Sequence, residues 1–297
     1  MRGLWTTAFV LLGGMANAAG LEVEDQGPVD PVYPTFGVHN PPEYTQGCAQ
    51  PDCLVRRGPG APSDPLFPLQ WVSDWTMYRV FRNYEDHPPP YASPPEGLVE
   101  DEDYTVSSGT TSYDSTYSDD NGSGAMMEFY QDYCLPIFPI DAHYTCAFIS
   151  LGNIAYFLTF EKDRPKDMPA CCRFSNLNPP PRRDFVKHLP WDEARSAQLP
   201  DTQAYALTTP GPDGAPILFG YAFQSVWRED PDAPGEGAYR HPSSFFFSGT
   251  PTDPPNAPIV SQNYTNFSAR KPDPSKTWDL VGQQCTGEIP WCKLFDP

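Results

Sequence analysis

The sequence predicts an all-β fold: an antiparallel curved sandwich or half-open barrel with long Pro-rich loops and disulfides. Three observations point there. Of 297 residues, 38 are proline, more than twice the usual share of about 5%. Proline lacks an amide donor and clashes with the preceding helical turn, so long helices become scarce and loops and strand edges dominate. Between the proline clusters lie runs rich in aromatic and β-branched residues, separated by turn signals. The eight cysteines are an even number, which suits a disulfide-tied scaffold.

In chain order, residues 1–18 ("MRGLWTTAFVLLGGMANA") read as a signal peptide: one positive residue at Arg2, an apolar run from Leu4 to Met15, then small residues around Ala18 and Ala19. That run is shorter than the roughly 20 residues of a membrane helix, and no later stretch approaches that length, so the chain is not expected to be integral to a membrane. Residues 19–66 form a Pro-rich arm, with isolated aromatics and the pair Cys48 and Cys53 but no periodic apolar positions. Residues 67–297 have the size of one all-β domain.

Within that domain "WTMYRVFRNY" alternates and ends at the breaker His87-Pro88-Pro89-Pro90. "YTVSSGTTSYDSTYS" runs to the turn "DDNGSG", where Asn121-Gly122 is a strong hairpin signal, and "AMMEFYQDY" resumes the pattern. In "CAFISLGNIAYFLTF", Ile154, Tyr156, Leu158 and Phe160 fall on one side of a strand and Phe157 on the other, which predicts burial on both faces or a ligand-facing surface. "AYALTTPGPDGAPILFGYAF" reads as two strands around a Pro-Asp-Gly turn, while "SSFFFSGTP" and "APIVSQNYTNFSA" supply two more. The one expected helix lies in "RRDFVKHLPWDEARSAQL", cut short by Pro190.

With 19 basic and 38 acidic residues the formal charge is −19; removal of Arg2 with the signal leaves 18 against 38, or −20. Such a surface repels nucleic acid and anionic membranes. The run Glu100-Asp101-Glu102-Asp103 and the pair Asp119-Asp120 supply carboxylate oxygens for weak calcium binding, without the ordered spacing of a calcium loop. Asp141 and His143 would alternate onto one strand face but lack a third metal ligand. No nucleophile elbow, zinc helix, phosphate loop or dinucleotide fingerprint occurs, and no cofactor is expected. Three sequons, at Asn121, Asn263 and Asn266, are glycosylation acceptors in a eukaryotic secretory pathway.

The cysteines are Cys48, Cys53, Cys134, Cys146, Cys171, Cys172, Cys285 and Cys292. Cys171 and Cys172 are adjacent, and the intervening trans amide holds their Cβ atoms badly for a mutual bridge, so two different partners are expected. A strained vicinal disulfide and a metal-binding or redox thiol pair are the competing readings.

The order of these landmarks resembles the ependymin-related family of secreted glycoproteins. "QWVSDWTMY" looks like that family's opening strand, "SYD" and "AMMEFY" like its next hairpin, and "NIAYFLTFEKDRPKDMPACC" like its central strand leading to a cysteine. "NFSARKPDPSKTWDLVGQQC" is similar to its closing segment, with Asp273-Pro274 before Trp278 and Cys285. The likeness covers about residues 67–292; the Pro-rich arm, the doubled cysteine and the larger cysteine count depart from it. It implies two curved antiparallel sheets around an apolar pocket, a lipid-like ligand and calcium interaction. If Cys171 and Cys172 end the central strand, their side chains point to opposite faces, one tying the strand to the neighbouring sheet and the other holding a loop or the arm.

The 7 Trp, 16 Tyr and 18 Phe exceed what a thin sandwich core demands and leave room for an apolar cavity. The expected function is that of a secreted, extracellular, non-enzymatic glycoprotein binding a hydrophobic small molecule or lipid. Ile154, Tyr156, Leu158, Phe219 and Tyr221 are the expected pocket lining. The alternatives are a structural or adhesive component of the extracellular matrix or cell coat, and a secreted hydrolase.

Overall fold

The structure, a computed structural model, describes residues 61–80, 87–134, 143–210, 216–235, 238–248 and 259–293. The expected signal peptide, nearly all of the arm with Cys48 and Cys53, and Asp141 lie outside the described residues. The strands are β1 (Gln70–Val80), β2 (Tyr104–Asp119), β3 (Gly122–Gln131), β4 (Cys146–Leu151), β5 (Ile154–Thr159), β6 (Cys171–Ser175), β7 (Trp191–Asp192), β8 (Thr202–Pro210), β9 (Pro216–Gln224), β10 (Arg228–Glu229), β11 (Ala238–Tyr239), β12 (Pro242–Ser248) and β13 (Ile259–Ser268).

Eleven of them form one antiparallel sheet in the order β6-β5-β4-β3-β2-β1-β13-β12-β9-β8-β7; β10 and β11 make a separate ribbon. The sheet does not close into a barrel. β1 is the keystone: the first half of the chain meanders away from it on one side, and β13 pairs it on the other, with Val80 opposite Ile259 and Met77 opposite Gln262.

Local rules placed the β2–β3 and β8–β9 hairpins as expected. "CAFISLGNIAYFLTF" is two strands, because Gly152-Asn153 makes a tight turn that sets Leu151 opposite Ile154. The expected helix is two single turns, the 3-10 turn Phe185–His188 and the helix Glu193–Ser196, with Pro190 and β7 between them. It was also not the sole helix: a six-residue helix spans Asp279–Gln284. Too short to be stable alone, that helix is held by Trp278, Val281 and Cys285, which pack against Tyr156, Leu158 and Cys171.

The doubled cysteine is resolved by strand alternation. Cys171 and Cys172 sit on the edge strand β6 and point to opposite faces. Cys171 bonds Cys285 on one face, Cys172 bonds Cys292 on the other, and a third bridge joins Cys134 to Cys146. Between the first two, the C-terminal tail wraps the edge: Arg173 donates its amide to Pro290, and Cys292 donates its own to Arg173. The clamp thus also occupies hydrogen-bonding groups that an open sheet edge leaves available for aggregation.

One face of the sheet is concave. Gln262 on β13 and Glu128 on β3 are three strand spacings apart in the sheet, roughly 14 Å if it were flat, yet Gln262 Nε2 lies 3.5 Å from Glu128 Oε1. Only a sheet curling toward that face permits this. Gly109 on the intervening β2 assists: a Cβ there would lie 2.3 Å from the Trp75 ring and 1.9 Å from the Phe129 carbonyl oxygen.

Candidate functional site

The concave face carries a continuous aromatic cluster, with Trp71, Trp75 and Met77 from β1, Tyr113 from β2, Tyr130 from β3, Phe157 from β5, Tyr205 from β8, and Phe219, Tyr221 and Phe223 from β9. One end is plugged. Phe67, fully buried, meets the rings of Trp71, Tyr113, Phe185, Tyr221 and Phe223 at centroid distances of 4.9 to 6.0 Å, and Phe185 stacks edge-on against Tyr221 at 4.9 Å. Phe67 is itself anchored by its amide to the Arg183 carbonyl.

Toward the other end the burial pattern inverts. Met126, Glu128, Phe148, Phe245 and Phe247 point to the concave side and are only half-buried. Their strand neighbours on the convex side, Ala125, Ala147 and Phe246, are fully buried. Phe245 and Phe247 face Tyr221 and Phe219 across the β12–β9 pairing, and Glu128 faces Phe148 across β3–β4. These residues form a partly accessible, largely apolar stretch of the concave face, packed against the core cluster.

A carboxyl group stands on this surface. Glu128 accepts hydrogen bonds from the Tyr130 hydroxyl at 3.1 Å and from Gln262 Nε2 at 3.5 Å. Burial among the rings raises its pKa above the ordinary carboxylate value, and the two hydrogen bonds only partly counter this. Its charge in turn reaches the hydroxyls of Tyr130, Tyr221 and Tyr264, whose pKa values are raised, chiefly by burial. Gln262 is fully buried, and among the described residues its Oε1 has no donor and the Trp75 Nε1–H no acceptor.

The chain matches no protein-family model. No curated protein matches it either.

The five residues expected to line one pocket are divided by the sheet. Phe219 and Tyr221 lie on the concave face. Tyr156 and Leu158 belong to the convex cluster under the C-terminal helix, and Ile154 packs against that cluster. In β5 it is Phe157 that reaches the concave side, so the even-numbered residues must take the other. Glu128 and Gln262 were missed: the "AMMEFYQ" alternation places Glu128 on the same side as Met126 and Tyr130, a polar residue on an apolar stripe, and this was the available signal.

Of the sequons, Asn121 is half-buried in the β2–β3 turn and Asn266 is exposed at the end of β13. Asn263 is mid-strand, its Nδ2 donating to the Tyr91 carbonyl at 2.7 Å. Asn266 borders a polar convex hollow of about 420 Å³ that also includes Asp74, Arg270, Asp273 and Lys276. Glu100–Asp103 form an exposed turn, with Asp103 Oδ2 accepting from the Val99 amide. Among the described residues no three His, Cys, Asp or Glu side chains gather as metal ligands, and no helix is long and apolar enough to cross a membrane.

Proposed function

We propose that this protein is a secreted, non-enzymatic glycoprotein of ependymin-like plan that binds a hydrophobic ligand in its concave cleft. The observation that carries the reading is local: the inward-facing apolar side chains Met126, Phe148, Phe245 and Phe247 are partly accessible, while Ala125, Met127, Ala147, Ile149 and Phe246 beside them on the outward face are buried. A sheet folded only to make a core would bury its inward face first. The lining, mostly aromatic and aliphatic with a few polar groups, is the composition of a small-molecule site. Three disulfides support an oxidising, extracellular setting.

Native mass spectrometry of the protein secreted by a eukaryotic host, before and after organic extraction, tests this. The expected result is a discrete extra mass on the monomer or dimer that extraction removes. A ligand-free monomer that also fails to bind added aliphatic probes overturns the carrier reading, and large ligand-free oligomers favour the coat-protein alternative.

A further inference from the structure

We infer that Glu128 is the head-group receptor of the cleft, and that the ligand is a single-chain amphiphile with a primary ammonium head. This deepens the carrier reading and rests on it. Glu128 is half-buried on a surface otherwise made of Met126, Phe148, Phe245 and aromatic rings, so a ligand tail lying in the cleft brings its end group to this carboxyl. No basic side chain pairs with it among the described residues; its partners are a hydroxyl and an amide. An unpaired carboxylate in an apolar site is costly, and a counter-charge supplied by the ligand removes that cost.

The neighbours specify the kind of cation. The Gln262 amide spends its Nε2 on Glu128 and, among the described residues, leaves Oε1 without a donor in a fully buried side chain, a vacancy that native cores rarely tolerate. A primary ammonium has three N–H donors, enough for both the Glu128 carboxylate and Gln262 Oε1. Trp75 and Tyr130, fully buried and packed edge to face with ring centroids 5.1 Å apart, wall the site on the side of the Tyr130 hydroxyl and keep its dielectric low. A fatty-acid head would instead place a second carboxylate against the first, and an alcohol would satisfy the hydrogen bonds without the charge. The formal charge of −19 also concentrates cations near the protein.

Calorimetric titration of the intact secreted protein with three probes of one tail and different heads tests this: dodecylammonium and dodecanoate below their micelle concentrations, and dodecanol below its solubility limit. Dodecylammonium is expected to bind about tenfold or more tightly than dodecanol, as a charge-assisted hydrogen bond in a dry site requires, and dodecanoate weakest. The isosteric variant Glu128→Gln should abolish the preference for the amine, so that dodecylammonium binds no more tightly than dodecanol, with unchanged circular dichroism. Equal binding of all three heads, or a preference for dodecanoate, overturns the head-group inference and leaves the cleft reading intact. If no probe binds the protein, or if Phe148→Glu leaves the binding of all three unchanged, the cleft reading falls as well.

Discussion

Cutting one of the two bridges that leave the Cys171-Cys172 pair should cost about a third of what cutting both costs. In the chain-entropy description a disulfide stabilises by restricting the unfolded chain, as the logarithm of the loop it closes. Taken alone, Cys171–Cys285 spans 114 residues, for a stabilisation of about 4.8 kcal/mol. While Cys172–Cys292, spanning 120 residues, remains closed, the first bridge adds only a small ring: one step from Cys171 to Cys172 and seven from Cys285 to Cys292. For a ring of about eight residues the increment falls to about 2.5 kcal/mol. Each double variant, C171A/C285A or C172A/C292A, should therefore lose about 2.5 kcal/mol, and the fourfold variant about 7. The excess over additivity, about 2 kcal/mol, is the decisive quantity, since packing lost with each sulfur enters both sides of the cycle equally. Urea unfolding of the oxidised variants, with bridge content verified by mass spectrometry, measures it. Strict additivity, with each pair costing about 5 kcal/mol, would refute the view that both bridges clamp one tail across one edge strand.

Further expectations concern the cleft and the surface. Gly109→Ala forces a Cβ against the Phe129 carbonyl and the Trp75 ring, and should cost about 3 kcal/mol or abolish folding; unaltered thermal stability would mean that Trp75 does not lie over β2. Glu128→Gln without ligand should stabilise the protein at pH 7 and have no effect well below pH 4. The folded-state pKa is raised, so between the unfolded and folded values the native state holds the extra proton, stability falls as pH rises through that window, and the penalty is complete above it. A variant less stable than wild type at pH 7 would contradict this. His241, desolvated against Phe267 and near Arg228, should titrate near 4 by NMR, its pKa lowered to about 4; a midpoint near 6.5 would refute its burial. In secreted material, peptide mapping should find more glycan on Asn266, exposed at the end of β13, than on Asn263, half-buried in mid-strand with its amide nitrogen donating to the Tyr91 carbonyl; equal occupancy would contradict this.

Much of the fold was legible because its rules are local. The Asn121-Gly122 turn, the Pro-Asp-Gly turn and the alternation of β1, β3 and β13 follow from backbone sterics within a few residues. The C-terminal helix was not legible: "DLVGQQ" is too short to show a helical period, and it forms because Cys285 and Trp278 moor it to β5 and β6. The Gly152-Asn153 turn was hidden by the apolar residues on both sides of it.

The candidate site divides along the same line. By itself the sequence determined that this is a disulfide-tied β protein, that Cys171 and Cys172 need separate partners, and that Ile154, Tyr156 and Leu158 share one face while Phe157 takes the other. These are consequences of planar peptides and a two-residue side-chain period. Which face is concave was decided by pairings such as β1 with β13, which curl the sheet until Glu128 meets Gln262 from 134 residues away. Alternation distinguishes two faces but does not say which becomes the inside. That depends on the curvature of eleven strands together, and the curvature assigns Phe219 and Tyr221 to the cleft and Tyr156 and Leu158 to the seat of the C-terminal helix.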